Sequence, residues 1–264
     1  MKKTVLLFFV VLSLLCASIL GVSAAPSRFR WYCVHVKDHK QPSIGAELAF
    51  IEELGAYYID RQHTDANAGD KVVYLTFDAG YENGNVTKIL DILREENVSA
   101  AFFILKNLVV KNTDLVKRMI NEGHTVCNHT ARHKDMSTFS NEAFLEELHT
   151  LEALYREHTG FEMPKYYRPP EGSFSRENLV CANENGYKTI FWSFAYPDWD
   201  NNRQMSTEKA KQIILENVHN GEVMLLHPTS STNAAILQDV IRTLKEQGYR
   251  FGTLDELTGA GTNE

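Results

Sequence analysis

From Lys71 onward, short apolar runs alternate with amphipathic segments, and no other feature of the sequence restricts the fold as strongly. The strand-like runs are "KVVYLTF", "AAFFI", "HTVCN", "KYYR", "YKTIFWS" and "EVMLL", with "YRF" a short last one. Helical patterns fall between them at Asn85 to Glu96, Thr113 to Asn121, Asn141 to His158, Arg176 to Asn185, Thr207 to Val218 and Ala234 to Gln247. Regular β-α alternation implies an α/β protein with a parallel sheet covered by helices, either closed as a barrel or open and doubly wound. About seven strands favour the (β/α) barrel. Residues 25–70 read as a largely irregular N-terminal extension packing on that barrel, with a "KDHKQPS" loop, one short helical pattern from Ala46 to Leu54 and a "DANAGD" linker. The β/α domain then spans 71–257, with a tail at 258–264.

Ahead of the extension, Lys2 and Lys3 precede an apolar run from Val5 to Leu20, and Val22-Ser23-Ala24 supplies small residues suited to signal peptidase. Residues 1–24 are therefore expected to be a signal peptide, and the working chain to be secreted or held in the cell envelope. A membrane anchor is the alternative, but a span needs roughly 20 apolar residues. Cys16 follows Leu15 instead of a small residue, which argues against lipoprotein-type cleavage. No later segment is apolar enough to span a membrane. A net charge of −7, more negative still without Lys2 and Lys3, makes a poor nucleic-acid binder. Three cysteines remain after the signal, Cys33, Cys127 and Cys181, an odd number that speaks against a disulfide framework; Cys127 and Cys181 read as small buried hydrophobes.

In a β/α barrel, functional side chains sit at the C-terminal ends of the strands and in the loops that follow. Those positions hold Asp78 after "YLTF", His129 and His133 after "TVCN", Arg168 after "YY", Asp198 and Trp199 shortly after "FWS", and His227 after "VMLL". Each has an ordinary alternative. An aspartate at a strand-to-helix turn is often a helix cap, and a His-x-x-x-His pair can arise by chance among ten histidines. Arg168 could serve a surface ion pair, and His227 could be a satisfied core residue. Against this, His129 and His133 enclose the polar "TAR" after a buried strand, which suits two imidazoles turned toward a metal. Arg168 precedes the stiff Pro169-Pro170, which suits a guanidinium orienting a carboxylate. Acid, imidazole and guanidinium together at strand ends point to a hydrolytic site.

The stretches "TFDAGYENG", "NHTARH", "RPPEGSFS", "FWSFAYPDWD" and "MLLHPTS" stand in the order and spacing of the five motifs of the NodB-type polysaccharide deacetylases. Within that family the chain most resembles the delta-lactam-biosynthetic de-N-acetylases, the peptidoglycan N-acetylmuramic acid deacetylases of spore cortex, which share the "GYENG" extension and the "FWS...DW" form. The resemblance covers roughly Lys71 to Leu257 and implies a distorted (β/α) barrel of about seven parallel strands. It implies Asp78 as catalytic base, His129 and His133 as ligands of a divalent, zinc-like metal ion, Arg168 as the residue orienting Asp78, and His227 as catalytic acid paired with Asp198. Pro169, Tyr81, Tyr196 and Trp199 become candidate substrate contacts, with packing the default for Trp192. Where most of the family carries a second aspartate ligating the metal, this chain has Ala79, so water, Asn128 and Asn83 are candidates to complete the metal's shell. The implied substrate is N-acetylmuramic acid in peptidoglycan glycan strands. An N-acetylglucosamine or chitin deacetylase and a non-catalytic glycan-binding relative are the alternatives, while a glycosidase, which needs two carboxylates flanking the scissile bond, fits less well.

Overall fold

The computed structural model describes residues 28–65 and 68–260. The elements are β1 (Arg28–Arg30), α1 (Phe50–Glu53), β2 (Ala56–Tyr57), β3 (Lys71–Ala79), α2 (Asn85–Glu95), β4 (Ala101–Ile104), α3 (Lys106–Lys111), α4 (Thr113–Asn121), β5 (Thr125–Asn128), α5 (Asn141–Thr159), β6 (Tyr166–Tyr167), β7 (Ser173–Ser175), α6 (Arg176–Glu184), β8 (Lys188–Ile190), β9 (Phe194–Ala195), α7 (Thr207–Asn217), β10 (Glu222–Leu226), α8 (Ser231–Glu246), β11 (Tyr249–Phe251) and α9 (Leu254–Thr258). The expected signal peptide, residues 1–24, and the end of the tail lie outside the described residues.

The main sheet runs β2-β8-β6-β5-β4-β3-β10-β9, with β11 on the first half of β3, and its strand pairs are parallel. Because β8 lies against β6 while β9 lies against β10, the extended stretch 188–195 links the two ends and the sheet curls into a distorted β/α barrel. Alternation along β3 explains how a nearly continuous apolar run serves two layers. Val73, Leu75, Phe77 and Ala79 pack outward beneath α2 and α8, against Ile89, Leu90, Leu237 and Ile241. Val72 and Tyr74 face the interior with Phe103, Cys127 and Ile190. Thr76 and Asp78 share that inward parity.

Three sequence expectations need correction. "YKTIFWS" is not one strand: it breaks between Ile190 and Phe194, where the carbonyls of Ile190 and Phe191 are taken by the Arg168 guanidinium at 3.0 and 3.2 Å. The stretch ahead of β3 is less irregular than its composition suggests. β2 joins the main sheet, and β1 pairs antiparallel with β7 in the register Arg28↔Ser175, Phe29↔Phe174, Arg30↔Ser173. Its Trp31, Ile51 and Tyr58 form an apolar cluster with Phe174 and Phe191. Finally, α3 has no counterpart in the periodicity reading; its N-cap, Leu105, supplies no side-chain cap. Cys127 and Cys181 are buried free thiols, as expected, and Cys33 is a half-buried one.

Candidate active site

Asp78 stands on the inward face of β3 near its C-terminal end, and Arg168, two residues past the start of β6, reaches across to it. Arg168 Nη1 donates to Asp78 Oδ1 at 2.8 Å. The guanidinium is fully buried, which is expensive for a charge unless it is paired and well hydrogen-bonded. Here Nη2 donates to Thr76 Oγ1 at 2.9 Å, the carbonyls of Ile190 and Phe191 take two further bonds, and the plane lies 4.1 Å from the Phe103 ring centroid. Thr76 is itself held by the carbonyl of Met224 at 2.7 Å. Burial acts to raise the Asp78 carboxyl, but the surrounding His129, Arg168 and His227 side chains outweigh it and hold it below the ordinary carboxylate range. Asp78 is therefore an ionised, fixed carboxylate with Oδ2 left for other work.

His129 and His133 lie on the loop after β5, with ring centroids 5.0 Å apart and nearly perpendicular. The loop is strained: Thr130 and His133 both take positive φ, 72° and 55°, a region that non-glycine residues adopt at a cost and mostly at functional sites. Its bracing is local. Thr130 N donates to Asn128 Oδ1 at 2.9 Å, and His133 N donates to Thr130 Oγ1 at 3.0 Å. Asn128 Nδ2 meanwhile donates to the Leu148 carbonyl at 3.0 Å. Asn128 is thus engaged at both ends. Asn83 is too, donating to the Thr229 carbonyl at 2.9 Å and accepting from Asn85 N at 3.2 Å. Each amide oxygen already accepts one backbone N–H, so both side chains are braced by their own loops, with one lone pair of each oxygen left over.

Among the described residues no three His, Cys, Asp or Glu side chains form a ready-made metal-holding group. The donor chemistry nonetheless fits a cation. His129 Nδ1 lies 2.9 Å from the Arg168 carbonyl, which can only accept, so Nδ1 carries the hydrogen. Burial lowers the imidazole to about 4 despite Asp78, so the ring is neutral and Nε2 presents a lone pair. That lone pair faces Asp78 Oδ2 at 3.4 Å, acceptor against acceptor. Such a pair calls for a positive ion between or beside them, and His133 is the neighbouring imidazole.

On the opposite side, His227 follows β10. Its Nδ1 meets Asp198 Oδ1 at 2.7 Å, and its backbone N donates to Asp198 Oδ2 at 2.7 Å. Burial works against charging the ring, but the Asp198 carboxylate outweighs it and raises His227 above the ordinary imidazole value. With Nδ1 engaged, Nε2 is the nitrogen left for substrate. Asn233 Nδ2 donates to Asp198 Oδ2 at 2.6 Å and to the His227 carbonyl at 3.1 Å, while Tyr196 hydroxyl bonds Asn233 Oδ1. Gln204 Nε2 steadies the Asp198 carbonyl at 2.9 Å. Sequence reading missed Asn233 and Gln204. Both sit inside helix or loop sequence with no strand end to flag them; the sole hint was their proximity to the "MLLHPTS" and "FWSFAYPDWD" stretches.

Asp78, His133 and His227 line one cavity of ≈ 580 Å³, together with Trp192, Tyr196 and Trp199. Trp199 is 60% exposed and stands edge-on to His227 with centroids 6.3 Å apart. Tyr196 is buried, and its hydroxyl is committed to Asn233, so it braces the Asp198–His227 pair through that side chain. Pro169 is buried behind the site and does not line the cavity. Tyr81 is exposed beside it, its hydroxyl accepting from Asn201, and is likewise outside the lining. Trp192 both lines the cavity and packs on the barrel interior.

Residues 65–190 match the family described as polysaccharide deacetylase. The chain is 36% identical to peptidoglycan-N-acetylmuramic acid deacetylase PdaA of Bacillus subtilis over 253 residues, covering 93% of this chain and 94% of that one. The solved structure of PdaA, described as a family 4 carbohydrate esterase, superposes with a TM-score of 0.82 over 88% of this chain and 97% of its own. A family 4 carbohydrate esterase from Bacillus anthracis, 33% identical, gives a TM-score of 0.72 over 89% of this chain and 98% of its own.

Proposed function

The chain belongs to the polysaccharide deacetylase family, and from that premise we propose that it is an exported hydrolase removing the N-acetyl group from N-acetylmuramic acid in peptidoglycan, leading to muramic delta-lactam in spore cortex. One observation carries the catalytic part of this reading: Asp78 and His227 line the same cavity, each held by its own buried partner, Arg168 and Asp198. A binding site alone has no use for a poised base and a poised acid. The near full-length likeness to PdaA supports the choice of muramic acid, and the Lys2, Lys3 and Val22-Ser23-Ala24 pattern supports export. Among the described residues no helix is long and apolar enough to cross a membrane.

Asp78, kept ionised and oriented by Arg168, takes a proton from the water that attacks the acetamide carbon. His129 and His133 would hold a divalent ion, which when bound polarises the amide carbonyl and acidifies the water. His227, protonated through Asp198, gives its proton to the amine nitrogen as the C–N bond breaks, so that acetate and a free amino sugar leave. Trp199 borders the cavity as a platform for the sugar ring. The deciding assay follows acetate release from peptide-stripped peptidoglycan glycan and from chitooligomers, with and without added divalent ions. Mass spectrometry then tracks the later loss of water on lactam closure. Acetate from the muramyl substrate supports the reading; acetate from chitooligomers alone would replace it with a glucosamine deacetylase.

A further inference from the structure

Among the described residues that line the cavity, Arg30 is the only arginine or lysine. Arg168, the other guanidinium nearby, is buried, makes four hydrogen bonds within the protein and does not line the cavity. Arg30 comes from β1, in the stretch upstream of the segment that matches the family, which begins at residue 65. Its position is firm. It pairs with Ser173 in the β1–β7 ladder; the next residue, Trp31, donates its backbone N to the Gly172 carbonyl at 2.8 Å and its Nε1 to the Trp192 carbonyl at 2.9 Å. The backbone is therefore anchored on the cavity wall while the guanidinium, 71% exposed, remains in solvent.

Its ion-pair partner among the described residues is Glu171 at 3.0 Å, itself 62% exposed and also lining the cavity. Glu171 takes φ 54°, a left-handed conformation imposed in the turn that follows Arg168-Pro169-Pro170. A carboxylate held at a strained position on the rim keeps the guanidinium beside the cavity. An ion pair this exposed contributes little stability, so exchange of its carboxylate for another is nearly isoenergetic. A muramic acid unit carries such a carboxylate. The lactyl ether is on C3 of the sugar, next to the C2 acetamide that must reach Asp78 and His227, whereas glucosamine has only a hydroxyl there.

We propose that Arg30 is the specificity residue for the lactyl carboxylate of peptide-free muramic acid, exchanging Glu171 for the substrate. This rests on the muramic-acid reading above and adds the residue that would distinguish the two sugars.

The test compares kcat and KM for acetate release from a peptide-free muramyl oligomer and from the same oligomer with its lactyl groups methyl-esterified. The wild type should favour the free acid by about tenfold, through KM and not kcat. Arg30→Gln should bring the acid-to-ester ratio close to one, and Arg30→Lys should restore part of it. Glu171→Gln, which removes the competing carboxylate, should lower KM for the acid and raise the ratio. This opposite sign keeps the test decisive even if Arg30→Gln folds poorly. Equal rates on acid and ester in the wild type, or a ratio that survives Arg30→Gln, would overturn the Arg30 assignment and leave the deacetylase standing. Failure to release acetate from either muramyl substrate would overturn the muramic-acid reading itself and Arg30 with it.

Discussion

Asp198 grips His227 at two points, its Oδ1 accepting from the ring Nδ1 and its Oδ2 from the His227 backbone N, both at 2.7 Å. Position and charge of the imidazole are thereby set by a single buried carboxylate. By linkage the raised pKa also stabilises the fold: the contribution is complete below the ordinary value of 6.5 and is lost as pH rises through the raised one.

For catalysis the same shift fixes an alkaline limit. A general acid works while protonated, so activity should decline only above the raised His227 value. Asp198→Asn should move the alkaline limb of the kcat/KM profile for acetate release to lower pH. An unmoved limb would assign it to another group.

Asp78→Asn should reduce turnover by at least about a hundredfold, the low end of what general base catalysis supplies. It should also destabilise the protein, because Arg168 is left buried without its counter-charge, by about 3–5 kcal/mol. Pairing it with Arg168→Met should recover part of that loss in denaturant melts while activity stays absent. Additive losses would mean that the two side chains act independently.

His129→Ala and His133→Ala should each weaken binding of a divalent ion, read by calorimetry on the purified protein, as well as abolish acetate release. Retained ion affinity in both variants would place the ion elsewhere.

Ala79 packs outward with Leu75 and Phe77, and its ladder partner is Ile104. Ala79→Asp therefore puts a carboxylate among apolar groups and should lower stability in chelator-treated buffer, on the order of 2 kcal/mol. If the carboxylate can turn inward to join His129 and His133, added divalent ions should restore part of the melting temperature. Thermal melts with and without the ion give the answer.

What could be read from the sequence follows a physical divide. The runs that became β3 and β10 are apolar because both faces are covered, so pattern alone reveals them. Asp78, His129, Arg168, Asp198 and His227 stood out because ionisable groups at the ends of such strands are hard to explain by packing. β1 was hidden: "RFR" is charged and short, and becomes a strand only by pairing with Ser173–Ser175, far along the chain. The commitment of Tyr196 to Asn233, and of Asn128 to its own loop, depends on side-chain partners that no periodicity encodes. The break in "YKTIFWS" was likewise invisible, since its cause is a guanidinium from a neighbouring strand.

The sheet order also governs what the chain exposes while it is being made. β3 is completed early, yet its partner β10 lies more than 140 residues further along the chain, and β11 later still. At ribosomal rates of about 5–20 residues per second, roughly 150 residues of delay leave an apolar strand with an open hydrogen-bonding edge for roughly ten to thirty seconds. A chain cut before β10 therefore keeps β3 but lacks the strand that covers residues 73–77, and leaves that apolar edge open for pairing with another chain.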